Sequence, residues 1–537
     1  MSTRTKVAVS LVVYLMVVFH APQQGANINT NERVRFYLAH ALLERGEVTI
    51  DEEIARFGPT HDKSKREDHF YSDKPPMQSL LSVAVLAPFY WASDGTLSAY
   101  AGVLIIRLLL HGLCGLICFW LMFVYLQELF GEPHTAALVA AIGMLGTPLS
   151  TFFATSFSHA ISATMLLTFF LVVHRAGRTL GPGGALLLGL LGGAAVLTEF
   201  LLTVPLVFFS AALLLRLERK LNYLTFLAGG LVMAALLAAY NQAAFGAPLS
   251  LGYEHLAVED YAEGYQAGFF GFSTPHKEAL WALTFSLRIG TFTLSPFLLF
   301  MLPGVVYAAA ARRWLELLLA LVVLVYLLLL SSFTHWHAGV SFGARYLVPV
   351  YPFMILLSAR GLWGLRAALG RAAGWAYVTL GLSGVLLFAA VNATDPFAPE
   401  VLENPIANFT LVYVREQLWA TGSILSAMGL PGGVSFVLWC LLSAGVVLWL
   451  AARALRGANR IPALLLSCAL SCALLTLSLS PDRDRWDDLR ATHIRMCALQ
   501  LSDEAFLRDH VFRRRYHTVV RWILDAQGRA ELADPEP

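Results

Sequence analysis

Acidic residues and three lysines are concentrated in a polar stretch near the N-terminus, residues 27–76. Among its acids, Glu32, Asp51 and Asp62 are each able to accept a proton from a hydroxyl group. Lys74 precedes two prolines, which fix the backbone where the stretch enters the next apolar segment. An ammonium group at such a junction can pair with a lipid phosphate, although it can also be a simple interfacial anchor. The residue types therefore point to chemistry on a lipid-linked phosphate.

The composition places this stretch beside a membrane. The chain has 537 residues, of which 57% are hydrophobic and only 14% are charged, and its mean hydropathy is +0.63. Soluble domains carry about 25% charged residues, so the deficit indicates a polytopic membrane protein. Five of the six cysteines lie in apolar segments, so no disulfide framework is predicted. The formal net charge of +2 gives no reason to expect a nucleic-acid partner.

About thirteen apolar segments are interpreted as spanning helices, which predicts an all-α transmembrane bundle. Their approximate ranges are 6–21, 100–127, 136–155, 160–175, 184–198, 200–215, 222–244, 288–310, 314–333, 346–360, 374–391, 433–452 and 461–480. The first is interpreted as an uncleaved helix rather than a signal peptide. Basic residues favour the cytoplasmic side. Arg4 and Lys6 therefore place the N-terminus in the cytoplasm, and alternation of the spans then gives the cytoplasm five basic connections.

The outer side receives two large polar loops, loop 1 (residues 22–99) and loop 2 (residues 245–287), and a polar tail at 481–537. Within loop 1, Glu32–Arg45 is predicted to be an amphipathic surface helix that stops at a glycine. The apolar segment Met77–Ala92 is predicted to lie in the interface or to re-enter the membrane. If it were a span, every later loop would change sides and the basic loops would face outward.

Two charged residues, Arg107 and Glu199, lie within or at the ends of apolar spans. Charges inside a membrane normally face a cavity or a partner, and they are functional candidates by default. A structural ion pair is the competing interpretation. The sequence alone leaves both interpretations open.

Several short motifs, in their order and predicted placement, resemble the GT-C superfamily of integral-membrane glycosyltransferases. The resemblance is to the branch that holds the lipid A aminoarabinose transferases and protein O-mannosyltransferases, and it covers about residues 1–480. Its elements are Lys74-Pro75-Pro76, Arg107 early in the next span, Tyr240-Asn241 with Phe245-Gly246 and Pro248, Gly252-Tyr253, Ser295-Pro296, and His335-Trp336 followed by Gly339, Ser341-Phe342-Gly343 and Arg345-Tyr346.

The resemblance implies transfer of a sugar from a polyprenyl-phosphate carrier to an acceptor at the outer face of a bacterial-type inner membrane. It implies an acidic residue of loop 1 as general base, and cations that stabilise the leaving phosphate. The candidate phosphate-binding residues are Lys74, Arg107 and Arg345. The candidate acceptor-binding or substrate-binding residues are His159, Tyr71, Trp336 and His337.

The chain departs from the family pattern where relatives carry Asp-Glu after the first span, because it has Asn31-Glu32. Asparagine cannot act as a base at neutral pH. The base is therefore predicted to be Asp62, with Asp51 and Glu32 as alternatives, and for each a solvated surface carboxylate is the competing interpretation. At Ser158-His159, where relatives often carry an acid, His159 either contacts the acceptor or is satisfied by backbone groups.

The sequence therefore predicts a membrane glycosyltransferase domain at 1–480, with membrane lipids as surroundings and a lipid, glycan or protein as acceptor. No metal site and no cofactor is predicted. A lipid or sugar transporter or flippase is the alternative from another class, and a transporter would favour paired charges near the bilayer midplane and repeated halves. A non-catalytic relative is a third possibility, because of Asn31.

Overall fold

The computed structural model describes residues 3–21, 28–339, 341–398, 404–411, 414, 423–455 and 471. Within these residues the protein is an all-α multi-pass membrane bundle with one short β-hairpin, as the composition predicts. The thirteenth predicted span, 461–480, lies outside the described residues except for Ser471, and the tail at 481–537 lies wholly outside them.

Seven helices of the described chain are long and apolar enough to cross a membrane. They are Ala99–Phe130 (α5, Ala99–Ile105, a π-helical turn, and α6, Gly112–Phe130), α9 (Ser158–Ala176), α12 (Asn222–Phe245), α17 (Trp314–Ser331), Arg345–Leu369 (a 3-10 turn and α18, Tyr351–Leu369), α19 (Arg371–Ala393) and α21 (Gly432–Ala454). Shorter apolar helices occupy the remaining predicted spans. They are α1 (Thr3–Val18), α7 (Pro133–Leu145), α10 (Pro182–Thr198), α11 (Thr203–Arg216) and α16 (Met301–Ala310).

The other elements are short or belong to the polar loops. Loop 1 contains α2 (Thr30–Glu44), α3 (Asp51–Phe57), β1 (Ser64–Arg66), β2 (His69–Tyr71) and α4 (Met77–Ala92). The rest are α8 (Leu149–Ala154), α13 (Glu259–Gln266), α14 (Lys277–Phe285), α15 (Thr291–Leu294) and α20 (Ile424–Ala427).

Helix α2 is more enclosed than the amphipathic surface helix that the sequence predicts. Asn29 caps its first turn and Glu32 reaches back to the backbone of Asn29, so the two side chains form a capping box. Residues 34–41 are all buried, and so are Asn31 and Glu32 in the first turn. Phe36 and Leu38 belong to an apolar cluster that also includes Leu86 of α4. Loop 1 is therefore a packed layer, which holds the N-terminal end of α2 in a fixed place.

The helices α10 and α11 form a hairpin whose turn is at Glu199, where the backbone is extended. The free ends of this hairpin meet, because the Glu218 N–H donates to the Arg178 carbonyl at 3.2 Å. Arg216 also donates to the carbonyl of His174 at 3.0 Å. The basic connections thus gather at one end of the hairpin, and Glu199 lies at the other end.

This arrangement predicts which segments are accessible from each side of the membrane. A single cysteine at Gly58 or Asn404 is expected to react with an impermeant maleimide added outside cells, because both lie in connections where acids outnumber basic residues, and the short basic connections lie on the other side. A cysteine at Arg219 or Arg366 is expected to react only after the membrane is permeabilised. Equal labelling of the Gly58 and Arg219 positions from one side would contradict the orientation.

Candidate active site

Loop 1 is held against loop 2 by backbone pairing that brings two polar segments together. Strand β1 pairs with β2, and the Lys65 N–H of β1 donates to the His255 carbonyl of loop 2 at 2.7 Å. The Ala257 N–H donates in turn to the Lys63 carbonyl at 3.0 Å. At Gly252 a side chain would not fit easily, because a Cβ there would lie 3.0 Å from the Asp73 carbonyl oxygen. The close approach of loop 2 therefore fixes the segments on either side of the hairpin, which carry Asp62 and Asp73.

A cavity of about 570 Å³ lies where these two loops meet the ends of the helices. One part of its lining is charged or polar and consists of Asn31, Arg35, Asp62, Asp73, Lys74, His159, Glu199, His335, His337 and Arg345. The other part is apolar and consists largely of Phe200, Leu201, Val204, Leu251, Leu256, Phe269, Phe270, Phe272, Leu330 and Phe333. Such a lining fits an amphiphile that has an anionic head and a hydrocarbon tail.

Lys74 is the centre of the charged part. Its ammonium group lies 2.6 Å from Asp73 Oδ2 and 3.2 Å from Asp62 Oδ2, and all three side chains are largely buried. Burial alone would lower the pKa of Lys74, but the two carboxylates outweigh it and raise that pKa. The ammonium group is therefore charged throughout the physiological range.

The two carboxyl groups beside Lys74 have pKa values displaced in opposite directions. Burial raises the pKa of Asp73, Asp62 adds to the rise, and Lys74 opposes it. Burial also works to raise the pKa of Asp62, but Lys74, Arg345 and Arg35 together hold that pKa below its usual value. Asp73 Oδ1 is buried and has no hydrogen-bond partner within the described chain. Two carboxyl groups whose pKa values differ in this way can supply one ionised and one protonatable group.

Arg345 is the cavity cation whose charge is not offset by an adjacent carboxylate in the described chain. Its guanidinium lies over the rings of Phe157 and Tyr346, at 5.1 and 5.2 Å from their centroids. Its Nε is buried and forms no hydrogen bond with any described residue. Stacking fixes the group without using its hydrogen-bond donors, so Arg345 is available to an anionic ligand.

A second charged group surrounds Glu199 at the turn of the α10–α11 hairpin. Glu199 Oε1 lies 3.3 Å from His159 Nδ1 and 3.7 Å from the Arg35 guanidinium, and it also accepts a hydrogen bond from Ser158. Arg35 donates to the carbonyl and the side-chain amide of Asn31, one turn earlier on α2. The intramembrane charge of Glu199 was the sequence signal for this group, whereas no sequence signal pointed to Arg35.

The structure brings together five of the predicted site residues in this cavity, namely Asp62, Lys74, His159, His337 and Arg345. The other five lie outside its lining. Asp51 accepts hydrogen bonds from the backbone of Phe70 at 3.0 Å and contacts His69 at 3.1 Å. Tyr71 packs against Phe245, and Trp336 packs against the main apolar core.

The remaining two predicted residues, Glu32 and Arg107, form an ion pair with each other. Arg107 Nε and one terminal nitrogen lie 2.9 and 2.6 Å from the two carboxylate oxygens, and both side chains are fully buried. The Ser156 N–H also donates to Glu32 at 2.5 Å. This geometry joins α2 to the π-helical turn at Ile106–His111 and to the segment before α9. Both residues thus serve to hold the cavity walls together in this structure.

Glu32→Gln is expected to lower the free energy of unfolding by roughly 3–5 kcal/mol, because it removes the carboxylate that neutralises the buried Arg107. Denaturation in detergent micelles would measure the loss. Glu44→Gln on the same helix is the matched control, and its partially exposed pairs with Arg45 and Arg56 predict a loss of about 0–1 kcal/mol. Wild-type stability in Glu32→Gln would contradict a structural role for the pair.

One group of potential metal ligands occurs in the described chain, away from the cavity. His40, Glu44 and Glu53 have ligand atoms within 4.8 Å of one another. The Arg45 guanidinium already pairs with Glu53 at 2.9 Å and with Glu44 at 3.0 Å. These carboxylates are thus neutralised by a cation that belongs to the protein.

Comparison with solved structures relates this architecture to known proteins. ArnT from Cupriavidus metallidurans, bound to undecaprenyl phosphate, superposes with a TM-score of 0.50 and 16% identity, over 92% of this chain and 81% of ArnT. The chain has the GT-C fold. The resemblance found in the sequence is therefore confirmed for the fold.

Two further GT-C structures show weaker similarity. The arabinosyltransferase EmbB from Mycobacterium smegmatis matches with a TM-score of 0.41 and 13% identity, over 92% of this chain and 43% of EmbB. The Archaeoglobus fulgidus oligosaccharyltransferase matches with a TM-score of 0.40 and 12% identity, over 82% of this chain and 56% of that enzyme. No protein-family model and no curated protein matches the sequence.

Proposed function

We propose that the protein is a glycosyltransferase that moves a sugar from a polyprenyl phosphate to an envelope acceptor at the outer face of the membrane. The observation that carries this proposal is the cavity at the junction of the two loops, in which Lys74 lies between Asp62 and Asp73, and Arg345 lines the same space opposite an apolar wall. The similarity in fold to ArnT, a protein bound to undecaprenyl phosphate, supports a carrier of the same class.

Lys74 and Arg345 bind the donor phosphate. Arg345 has guanidinium donors to offer, and Lys74 has an ammonium group that is charged at working pH. Charge-assisted bonds from both would stabilise the negative charge that grows on the phosphate as the bond to the sugar breaks. The aromatic and aliphatic residues opposite, among them Phe269 and Phe333, accommodate the first isoprene units.

Asp62 acts as general base in this proposal. Its carboxyl is ionised because Lys74, Arg345 and Arg35 hold its pKa low, and it lines the cavity beside the phosphate-binding cations. The acceptor hydroxyl passes its proton to Asp62 as its oxygen attacks the anomeric carbon, and the phosphate leaves with the bonding electron pair. His159 and His337 contact the acceptor or the sugar. Asp51 and Glu32 take no part, because their carboxylates are engaged elsewhere.

Asp73 makes donor binding depend on pH. Its raised pKa means that it becomes neutral at a higher pH than an ordinary aspartate, and the neutral form no longer competes with phosphate for Lys74. Affinity for undecaprenyl phosphate is therefore expected to increase as the pH falls through the pKa of Asp73, while Asp62 stays ionised. Isothermal titration calorimetry with undecaprenyl phosphate at several pH values, on wild type and Asp73→Asn, isolates this effect, because protonation of the lipid phosphate is common to both. Parallel profiles for the two proteins would contradict it.

The proposal is tested by mass spectrometry of envelope lipids and glycans from three strains. One strain produces the wild-type protein, one produces Asp62→Asn, and one lacks the gene. A sugar modification present only with the wild-type protein supports transfer. The same products in all three strains would contradict it.

The alternative function, a flippase for a lipid-linked sugar, makes a different prediction for the same strains. A flippase has no step that needs a general base, so Asp62→Asn would leave the modification intact while deletion abolished it. The charges in the described chain favour transfer, because the acids and cations of the cavity come from the polar loops and helix ends rather than from the middle of spans.

A further inference from the structure

A second cavity lies among the basic connections, at the end of the bundle away from Lys74. It has a volume of about 480 Å³ and is lined by Glu132, Thr135, Arg366, Gly370, Arg371, Arg453, Ala454 and Leu455. Its three arginines come from three helices, α18, α19 and α21. The proposed glycosyl transfer uses none of them.

The cavity carries an excess of positive charge. Within the described chain none of the three arginines is within ion-pair distance of a carboxylate. Arg366 donates to the Thr135 hydroxyl at 3.4 Å and lies 5.8 Å over the ring of Phe130. Glu132 is the carboxylate of the lining, but it caps α7 by accepting hydrogen bonds from the N–H groups of His134 and Thr135, at 3.0 and 2.6 Å. The arginine donors are therefore available to a ligand.

The N-terminus of α19 adds donors of a second kind. This 23-residue helix follows Gly370, which has φ +57 and no side chain with which to cap it. The N–H groups of the first helical turn have no intrahelical acceptors, and they favour an anion. Guanidinium groups and helix N–H groups thus converge on one space, which is the donor set that a phosphate group needs.

We propose that this cavity binds the phosphate group of an anionic phospholipid in the leaflet opposite the glycosyl-transfer cavity. The three arginines lie at the ends of the candidate spans Arg345–Leu369, Arg371–Ala393 and Gly432–Ala454, so the cavity is at the depth of the lipid headgroups. Arg453 also lies 5.3 Å over the ring of Trp449, and tryptophan is typical of this depth. A lipid bound here bridges α7, α18, α19 and α21.

The test compares binding of phosphatidylglycerol and phosphatidylcholine to the purified full-length protein by native mass spectrometry. The triple variant Arg366→Gln, Arg371→Gln, Arg453→Gln is expected to bind phosphatidylglycerol about 10²-fold more weakly, since each basic residue near an anionic headgroup contributes about one factor of five. The matched control is Arg178→Gln, Arg219→Gln, Arg312→Gln, which removes the same charge from basic positions outside the cavity. Arg371→Gln alone, at an exposed position, repeats the test if the triple variant does not fold.

The proposal is supported if the Arg366, Arg371 and Arg453 triple variant loses binding of phosphatidylglycerol but not of phosphatidylcholine, and the control triple variant binds both lipids like the wild type. A separate arm adds inorganic phosphate as competitor. If millimolar phosphate displaces the lipid completely, the site recognises free phosphate and the lipid assignment is wrong. Equal losses in the two triple variants would overturn the site as a whole, because they would show that only the total charge matters.

Discussion

Asp62→Asn is expected to lower the rate of glycosyl transfer by roughly 10²–10⁴-fold while the affinity for the lipid donor stays within a few-fold of wild type. Asparagine keeps the shape of the side chain but cannot accept the proton of the acceptor hydroxyl. Donor binding survives because both phosphate-binding cations, Lys74 and Arg345, are unchanged, and Lys74 stays charged beside Asp73, at 2.6 Å. Single-turnover kinetics with membranes or purified protein would separate the two quantities.

Asp51→Asn is the matched control for this experiment. Asp51 is an aspartate of the same loop and is partly buried, but it contacts Phe70 and His69 instead of lining the cavity. Its substitution is expected to leave turnover within a few-fold of wild type. A collapse with Asp51→Asn and a normal rate with Asp62→Asn would move the base to Asp51.

Asp73→Asn distinguishes the two carboxyl groups that share Lys74. If Asp62 is the base, Asp73→Asn changes mainly the pH dependence of donor binding, because the carboxyl with the raised pKa is removed. If turnover falls by 10²-fold or more with Asp73→Asn and not with Asp62→Asn, the assignment of the base to Asp62 is wrong. Normal rates in all of these variants would contradict the proposed glycosyltransferase activity.

The helical bundle could be predicted from the sequence because hydropathy and loop charge act locally. Apolar runs such as 222–244 and 374–391 correspond to α12 and α19 within a few residues. Asp62 and Lys74 could also be identified as candidate site residues, because a charged loop followed by two prolines is recognisable from the sequence alone. These features need no knowledge of which segments meet.

Features that depend on distant contacts could not be predicted. The hairpin Ser64–Tyr71 is mostly polar, turns at Glu67 with φ +55, and is completed by backbone bonds to residues 255–257 of loop 2. A local pattern contains no information about that pairing. The burial of α2 has the same origin, because it depends on contacts with α4 and α5, which are distant in the sequence.

Charged partners were the hardest to assign. The sequence predicts Arg107 and Glu32 as separate site residues, yet these residues, 75 positions apart in the chain, pair with each other. The sequence alone leaves a structural and a functional interpretation of Glu199 open, and the side chain lies at the cavity beside His159. A sequence shows that an intramembrane charge needs a partner but not which charge it meets.

Lys74→Ala is expected to have two large effects. Affinity for undecaprenyl phosphate should fall by about 10–150-fold, since a charge-assisted pair contributes roughly 1.5–3 kcal/mol. The free energy of unfolding should also fall by about 3–5 kcal/mol, because Asp62 and Asp73 lose the cation that they share in a buried site. Binding isotherms and denaturation in the same detergent would measure both.

Three further variants separate donor binding from folding. Lys74→Ala with Asp73→Asn removes one of the two buried carboxylates, so it should regain stability without regaining affinity. Lys74→Arg should recover part of the affinity, because a guanidinium keeps the charge but has a different size and hydration. Lys65→Ala, at an exposed lysine over the Phe70 ring, is the matched control and should bind donor like the wild type. If Lys74→Ala binds donor and transfers sugar normally, Lys74 serves only to neutralise Asp62 and Asp73, and the phosphate must be bound by Arg345 alone.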